Sequence, residues 1–167
     1  MRKIDIYLVL ILELRDQGFK GGKNMTLAIT GVGTIFRKWD GSAWVAMAEI
    51  KNVSGPTMSR ETIDVTNLAS SGGYREFIAG FRDAGTVTFT MHFVREDYDE
   101  MKADFESDTA QNYEIVLPDS ENTSLEFSGL VTELPLDIPE QVVTCSVTIK
   151  ISGQVTINSG TNSAAPA

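Results

Sequence analysis

Between Gly55 and Phe93 the chain reads GPTMSRETIDVTNLASSGGYREFIAGFRDAGTVTFTMHF, and no other stretch restricts the possible folds as much. Arg60 to Thr66 alternates, with Thr62 and Asp64 on one side and Ile63 and Val65 on the other, as a strand requires. Thr86 to Phe93 alternates again, placing Val87, Phe89, Met91 and Phe93 on one face. The two strands are separated by Asn67 to Gly85, about twenty residues where a hairpin loop ordinarily needs two to five.

So long an insert in a small domain is functional or disordered. Tyr74-Arg75-Glu76-Phe77-Ile78-Ala79-Gly80-Phe81-Arg82 carries too many large apolar groups for a flexible linker. The spacing of Tyr74, Phe77, Ile78 and Phe81 suits one face of a helical turn or an extended arm. The insert either folds back as a lid over its own core or is covered by another copy of the protein.

The rest of the chain is β-rich with one helix. Thr34 to Trp39 and Ala43 to Ile50 flank Asp40-Gly41, a hairpin signal, with Trp39 and Trp44 expected to pack across it. Val94, Tyr98, Met101 and Phe105 recur at helical spacing, predicting a helix from about Arg95 to Ser107 with an apolar stripe and acidic outer faces. Strands are expected at Tyr113 to Leu117, Ser124 to Glu133 and Gln141 to Ser152, with Gln154 to Ile157 as an extension. Seven or so strands and one helix predict a mainly β protein, a β-sandwich or flattened barrel.

With 167 residues, one domain is expected. Residues 25–157 form that domain, and 158–167 read as a small, polar tail, disordered or ordered by neighbours. Residues 1–24 read as a leader outside the core. Ile4 to Leu12 is apolar but too short to span a membrane, and Asp5 with no small-residue cleavage site argues against a secretion signal. Phe19 to Asn24 can be encoded by a purine-rich, ribosome-binding-like sequence, which makes Met25 the expected natural start.

A formal charge of −9 argues against a nucleic-acid binder that works by neutralising phosphates. The single cysteine, Cys145, allows no intrachain disulfide and fits an alternating core position. His92 is the only histidine, on the strand face opposite Met91 and Phe93, and reads as a surface or interface side chain. No nucleophile elbow accompanies it, and one His with one Cys is too few for a zinc site. Glu96 to Glu100 lacks the glycine and spacing of an EF-hand, and Gly31-Val32-Gly33 lacks the third glycine of a phosphate-binding turn. No catalytic, cofactor or metal site is expected.

The segments GVGTIFRKWDGSAWVAMAEI, SGPTMSRETIDVT, GGYREFIAGFRDAGTVTF and YDEMKADFESD, in that order, resemble the tail tube (major tail) proteins of long-tailed bacteriophages. The resemblance covers most of Gly31 to Ile157. It implies a tail-tube fold, a structural virion protein, and self-assembly into stacked hexameric rings around a channel through which DNA is ejected. It also implies an inter-subunit arm at Asn67 to Gly85, anchored by Tyr74, Phe77, Ile78 and Phe81 and rimmed by Arg75, Glu76, Arg82 and Asp83. The tape-measure protein inside the tube, terminator and distal tail proteins at its ends, and assembly in the bacterial cytoplasm follow from the same resemblance. An acidic bore would let DNA slide, and Asp64, Glu126 and Glu133 are the candidate lining carboxylates. A monomeric β-sandwich binding or display module, and the tube of a contractile secretion system, are the alternatives.

Overall fold

The computed structural model of the chain describes residues 28–47 and 49–160. The expected leader, with the proposed start at Met25, lies outside them. The elements in chain order are β1 (Ile35–Trp39), β2 (Trp44–Ala46), β3 (Ile50–Ser54), β4 (Ser59–Asp64), β5 (Phe77–Asp83), β6 (Thr86–His92), α1 (Arg95–Phe105), β7 (Gln111–Val116), β8 (Ser124–Glu133), β9 (Leu136–Asp137) and β10 (Thr144–Asn158). Among the described residues, eight strands form one antiparallel sheet ordered β2-β1-β7-β8-β10-β6-β3, with β9 on β10. The remaining two, β4 and β5, pair only with each other.

The β1–β2 turn forms where Asp40-Gly41 predicts it. The Asp40 carboxylate accepts the N–H groups of Ser42 and Ala43 at 2.7 Å each, and Gly41 takes a φ of 99° that side chains disfavour. The Trp39 and Trp44 rings meet edge-on at 5.4 Å across the hairpin. The single strand expected over Ala43 to Ile50 is instead two. Residues 44–46 pair with β1, the chain turns at Glu49 with φ 57°, and β3 pairs with β6 on the far edge. Met47 N–H donates to the Phe36 carbonyl and His92 N–H to the Glu49 carbonyl, both at 3.0 Å. This one segment therefore joins the two edges and rolls the sheet into a flattened barrel, which leaves few open edges.

The barrel interior is apolar. On β6 every second residue is buried: Val87, Phe89 and Met91 face Ile149, Val147 and Cys145 of β10, residue for residue. Phe36, Phe89, Tyr113 and Phe127 form a chain of ring contacts, with centroids 4.4 to 5.9 Å apart, an arrangement favourable beyond simple area burial. Cys145 is a buried free thiol, and burial raises its pKa. Phe93 does not continue the buried row; the strand ends at His92 and Phe93 packs half-exposed on Tyr98, 5.3 Å between rings.

Helix α1 begins at Arg95 as expected and stops two residues early, at Phe105. Met101 is fully buried and Tyr98 packs on the core, but the last stripe position is Asp104, buried, and Phe105 stays exposed. Asp104 is accommodated because Lys38 Nζ lies 2.8 Å from one carboxylate oxygen and the Tyr113 hydroxyl donates to the other at 2.9 Å. The expected extension at Gln154 to Ile157 is continuous with β10, across irregular pairing between Ser152 and Thr156. Asn158, assigned from the sequence to the tail, closes that strand and donates through Nδ2 to Glu126 at 3.2 Å.

Candidate functional site

The insert is neither a loop nor a helical turn. Its second half is strand β5, which folds back on β4 in the register Ser59–Asp83, Arg60–Arg82, Thr62–Ala79, Ile63–Ile78 and Asp64–Phe77. A bulge between Arg60 and Thr62 sets two β5 residues, Gly80 and Phe81, against Glu61 alone. The bulge breaks the two-residue alternation, which is why the apolar spacing in the sequence resembled a helix. The connection spans 65–76 and holds a short 3₁₀ turn, Ser71–Gly73. Thr66 closes it: its hydroxyl accepts the Glu76 N–H at 2.9 Å, and Val65 N–H donates to the Glu76 carbonyl at the same distance.

At its root the hairpin is clamped to the barrel. Gly85 N–H donates to the Asp83 carboxylate at 2.8 Å, and Thr86 N–H donates to the Thr57 hydroxyl at 2.9 Å. Gly85 has φ 78°, and a Cβ there would collide with the Thr57 carbonyl oxygen. Lys150 of β10 reaches both Asp83 carboxylate oxygens at 2.7 Å. That ammonium, with the Gly85 N–H, holds the Asp83 carboxyl below its ordinary range.

Beyond the root no other described residue of the subunit covers the arm. Phe81 is 88% exposed, Tyr74 79%, Phe77 54% and Ile78 53%, and Met58, Ile63 and Leu68 are exposed as well. Phe77 with Asp64 and Ile78 with Ile63 lie on opposite faces of the ribbon, so both faces are apolar. The reading of the insert as a lid over its own core is thereby excluded. A two-stranded ribbon with solvent on both faces is at best marginally stable in water, and a patch of this kind marks an interaction surface.

The expected charged rim divides. Arg75 pairs with Asp64 within the hairpin at 3.7 Å, and hydrogen bonds from the Thr66 side chain and backbone hold the Asp64 carboxyl below its usual range. Asp83 is taken by Lys150, whereas Arg82 faces Arg60. Arg60 had no signal in the sequence, because only strand register brings it opposite Arg82. The three candidate bore carboxylates do not converge. Asp64 is on the exposed arm and Glu133 ends β8, accepting the Thr148 hydroxyl at 3.1 Å. Glu126 is buried beside Asn158, so its carboxylate does not face solvent within the subunit. Among the described residues no His, Cys, Asp and Glu cluster could hold a metal ion, and no helix is long and apolar enough to cross a membrane.

The fold has counterparts among solved structures. The profile of the lambda phage tail tube protein family matches residues 29–158. The tail of an empty gene transfer agent particle, refined with C6 symmetry, superposes with a TM-score of 0.64 at 20% identity, over 78% of this chain and 99% of that one. The tube-terminating cap of the anti-feeding prophage gives 0.64 at 15% identity over 86% and 99%. The SPP1 tail tube gives 0.56 at 11% identity over 77% of each chain. Among curated proteins no relative matches. With a family profile spanning nearly every described residue and a fold shared with tubes, the chain belongs to the lambda-type phage tail tube proteins.

Proposed function

We propose that this tail tube protein closes into hexameric rings that stack into a hollow tube, with the β4–β5 hairpin as the contact between subunits. The observation that carries this reading is the exposure of Phe77, Ile78, Phe81 and Tyr74 on an arm that the other described residues leave uncovered. A head-to-tail contact closes into a ring only when its rotation does, and the C6-symmetric tail with the same fold supports six. The arm anchors act as buried hot spots in the assembled tube.

In this reading the tube is a passage for DNA in the virion, formed in the host cytoplasm. A tape-measure protein occupies its bore during assembly, and terminator and distal tail proteins cap its ends. Asp64 and Glu133 are the exposed carboxylates offered to the bore, where negative charge keeps DNA from adhering. Catalysis plays no part. Tubes of contractile injection systems share the fold, with a TM-score of 0.61 at 13% identity, but the family profile favours the phage tail.

Negative-stain electron microscopy and sedimentation of purified protein test the reading. Wild type is expected to form six-fold tubes, and Phe77→Ser/Phe81→Ser to stay monomeric with an unchanged circular dichroism spectrum. A wild type that remains monomeric at every concentration, or an arm variant that polymerises as well as wild type, would overturn it.

A further inference from the structure

An open cleft of about 920 Å³ lies at the root of the hairpin, lined among others by Arg60, Arg82, Asp83, Ile151, Gln154 and Val155. Arg60 and Arg82 are register partners there on neighbouring strands, and both line the cleft. Both residues are exposed, and neither takes part in an ion pair among the described residues. The one carboxylate in the cleft, Asp83, is already held by Lys150 at 2.7 Å. Like charges set opposite on a strand pair repel, and an isolated ribbon has no third strand to hold them together. An anion between the two forks removes that cost, and paired guanidiniums suit a carboxylate.

The same chain carries the matching charge at its other end. Strand β6 starts at the hairpin root with Thr86 and ends at His92, leading into α1. Its seven residues separate the two ends by ~20 Å. The outer surface of α1 exposes Glu96 and Asp99, and Glu106 is exposed at its C-terminal cap. Asp99 and Glu106 share their charge with Arg95 and Lys102 at 3.5 Å each, whereas Glu96 has no ion pair among the described residues. A cationic cleft at one end and an acidic helix at the other give each subunit a charge polarity along β6.

We propose that the Arg60–Arg82 cleft receives the acidic outer face of α1, Glu96 foremost, from a second copy of this chain. The inference rests on the tube reading and deepens it: apolar anchors hold the subunits, and this contact sets the direction of stacking. The overall charge of −9 disfavours nucleic acid as the occupant, because a polyanion approaching the cleft meets a net negative protein.

The test compares wild type, Arg60→Glu/Arg82→Glu, Glu96→Lys/Asp99→Lys and the combination of all four changes, by light scattering and microscopy at several salt concentrations. Each double variant is expected to raise the protein concentration needed for tubes at least tenfold at low salt, with an unchanged melting temperature. The combined variant, and a mixture of the two double variants, are expected to recover most of that loss. If wild type forms tubes and Arg60→Glu/Arg82→Glu does so equally well, or the combination recovers nothing, this contact is wrong while the tube reading stands. Normal tubes from the arginine variant together with lost binding of a short DNA duplex would assign the cleft to nucleic acid instead. A wild type that makes no tubes removes both readings.

Discussion

Lys38 Nζ sits 2.8 Å from Asp104 Oδ1, joining the end of β1 to the last turn of α1 where both side chains are almost fully buried. Glu100 offers the ammonium a second carboxylate at 3.0 Å, more exposed. Removing one partner of a buried ion pair is costly because the other charge stays behind. Asp104→Ala is expected to lower subunit stability by about 2–3 kcal/mol, below the full cost of an orphaned charge because Glu100 remains. Asp104→Asn is expected to lose less, since it still accepts a hydrogen bond. Urea unfolding in the non-polymerising Phe77→Ser/Phe81→Ser background measures both.

The same cluster makes stability sensitive to alkali. Burial lowers the Lys38 pKa, but hydrogen bonds and attraction from Asp104 and Glu100 outweigh it, and the net shift is upward from 10.5. Burial, then the Asp104 carboxylate, drives the Tyr113 phenol well above its ordinary 10.0. In both cases the folded state retains a proton that the unfolded chain has released. The contribution is therefore complete below about pH 10 and is lost as pH rises above it. Through these two groups the melting temperature is expected to change little up to pH 10 and to fall above that, with the buried Cys145 thiol, raised from 9.0, adding its own decline from about pH 9. In Tyr113→Phe the fall should be shallower; an equally steep fall would remove Tyr113 from the account.

Phe81 and Phe89 separate assembly from folding. Phe89→Ala empties a fully buried site against Phe36 and is expected to cost about 3–5 kcal/mol. Phe81→Ser, on the exposed arm, is expected to change subunit stability by no more than about 0.5 kcal/mol while weakening polymerisation. Chemical denaturation paired with sedimentation distinguishes the two. Loss of stability in Phe81→Ser would mean that the arm is buried within its own subunit.

Gly85→Ala forces a side chain into positive φ against the Thr57 carbonyl. The expected cost is about 1–3 kcal/mol, concentrated at the arm root. Amide hydrogen exchange should show faster exchange at Thr57 and Thr86 than in wild type, with Val147 and Ile149 in the core of β10 least affected. Uniform acceleration throughout the barrel would contradict a local clamp.

Much of the barrel was legible in the sequence because its strands bury one face. Thr86 to Phe93 announces itself by alternation, and Asp40-Gly41 by turn chemistry. The arm was legible as an anomaly, too long and too apolar, but not as a hairpin. Its bulge at Gly80–Phe81 removes the two-residue period, and neither face is buried within the subunit to impose one. Asp104 failed for the converse reason. A carboxylate in a helical stripe reads as solvent-facing until Lys38 and Tyr113, 66 and 9 residues away, are seen to satisfy it.

The amino-acid sequence by itself determined a mainly β fold, its one helix and an apolar insert that a lone subunit has no evident use for, because these depend on local period, turn residues and composition. Only the tertiary structure decided that residues 44–54 close the barrel, that Arg60 meets Arg82, and that Asp104 lies beside Lys38. Those are pairings between distant segments, set by strand register and by what each buried polar group finds within reach, and no local pattern encodes them.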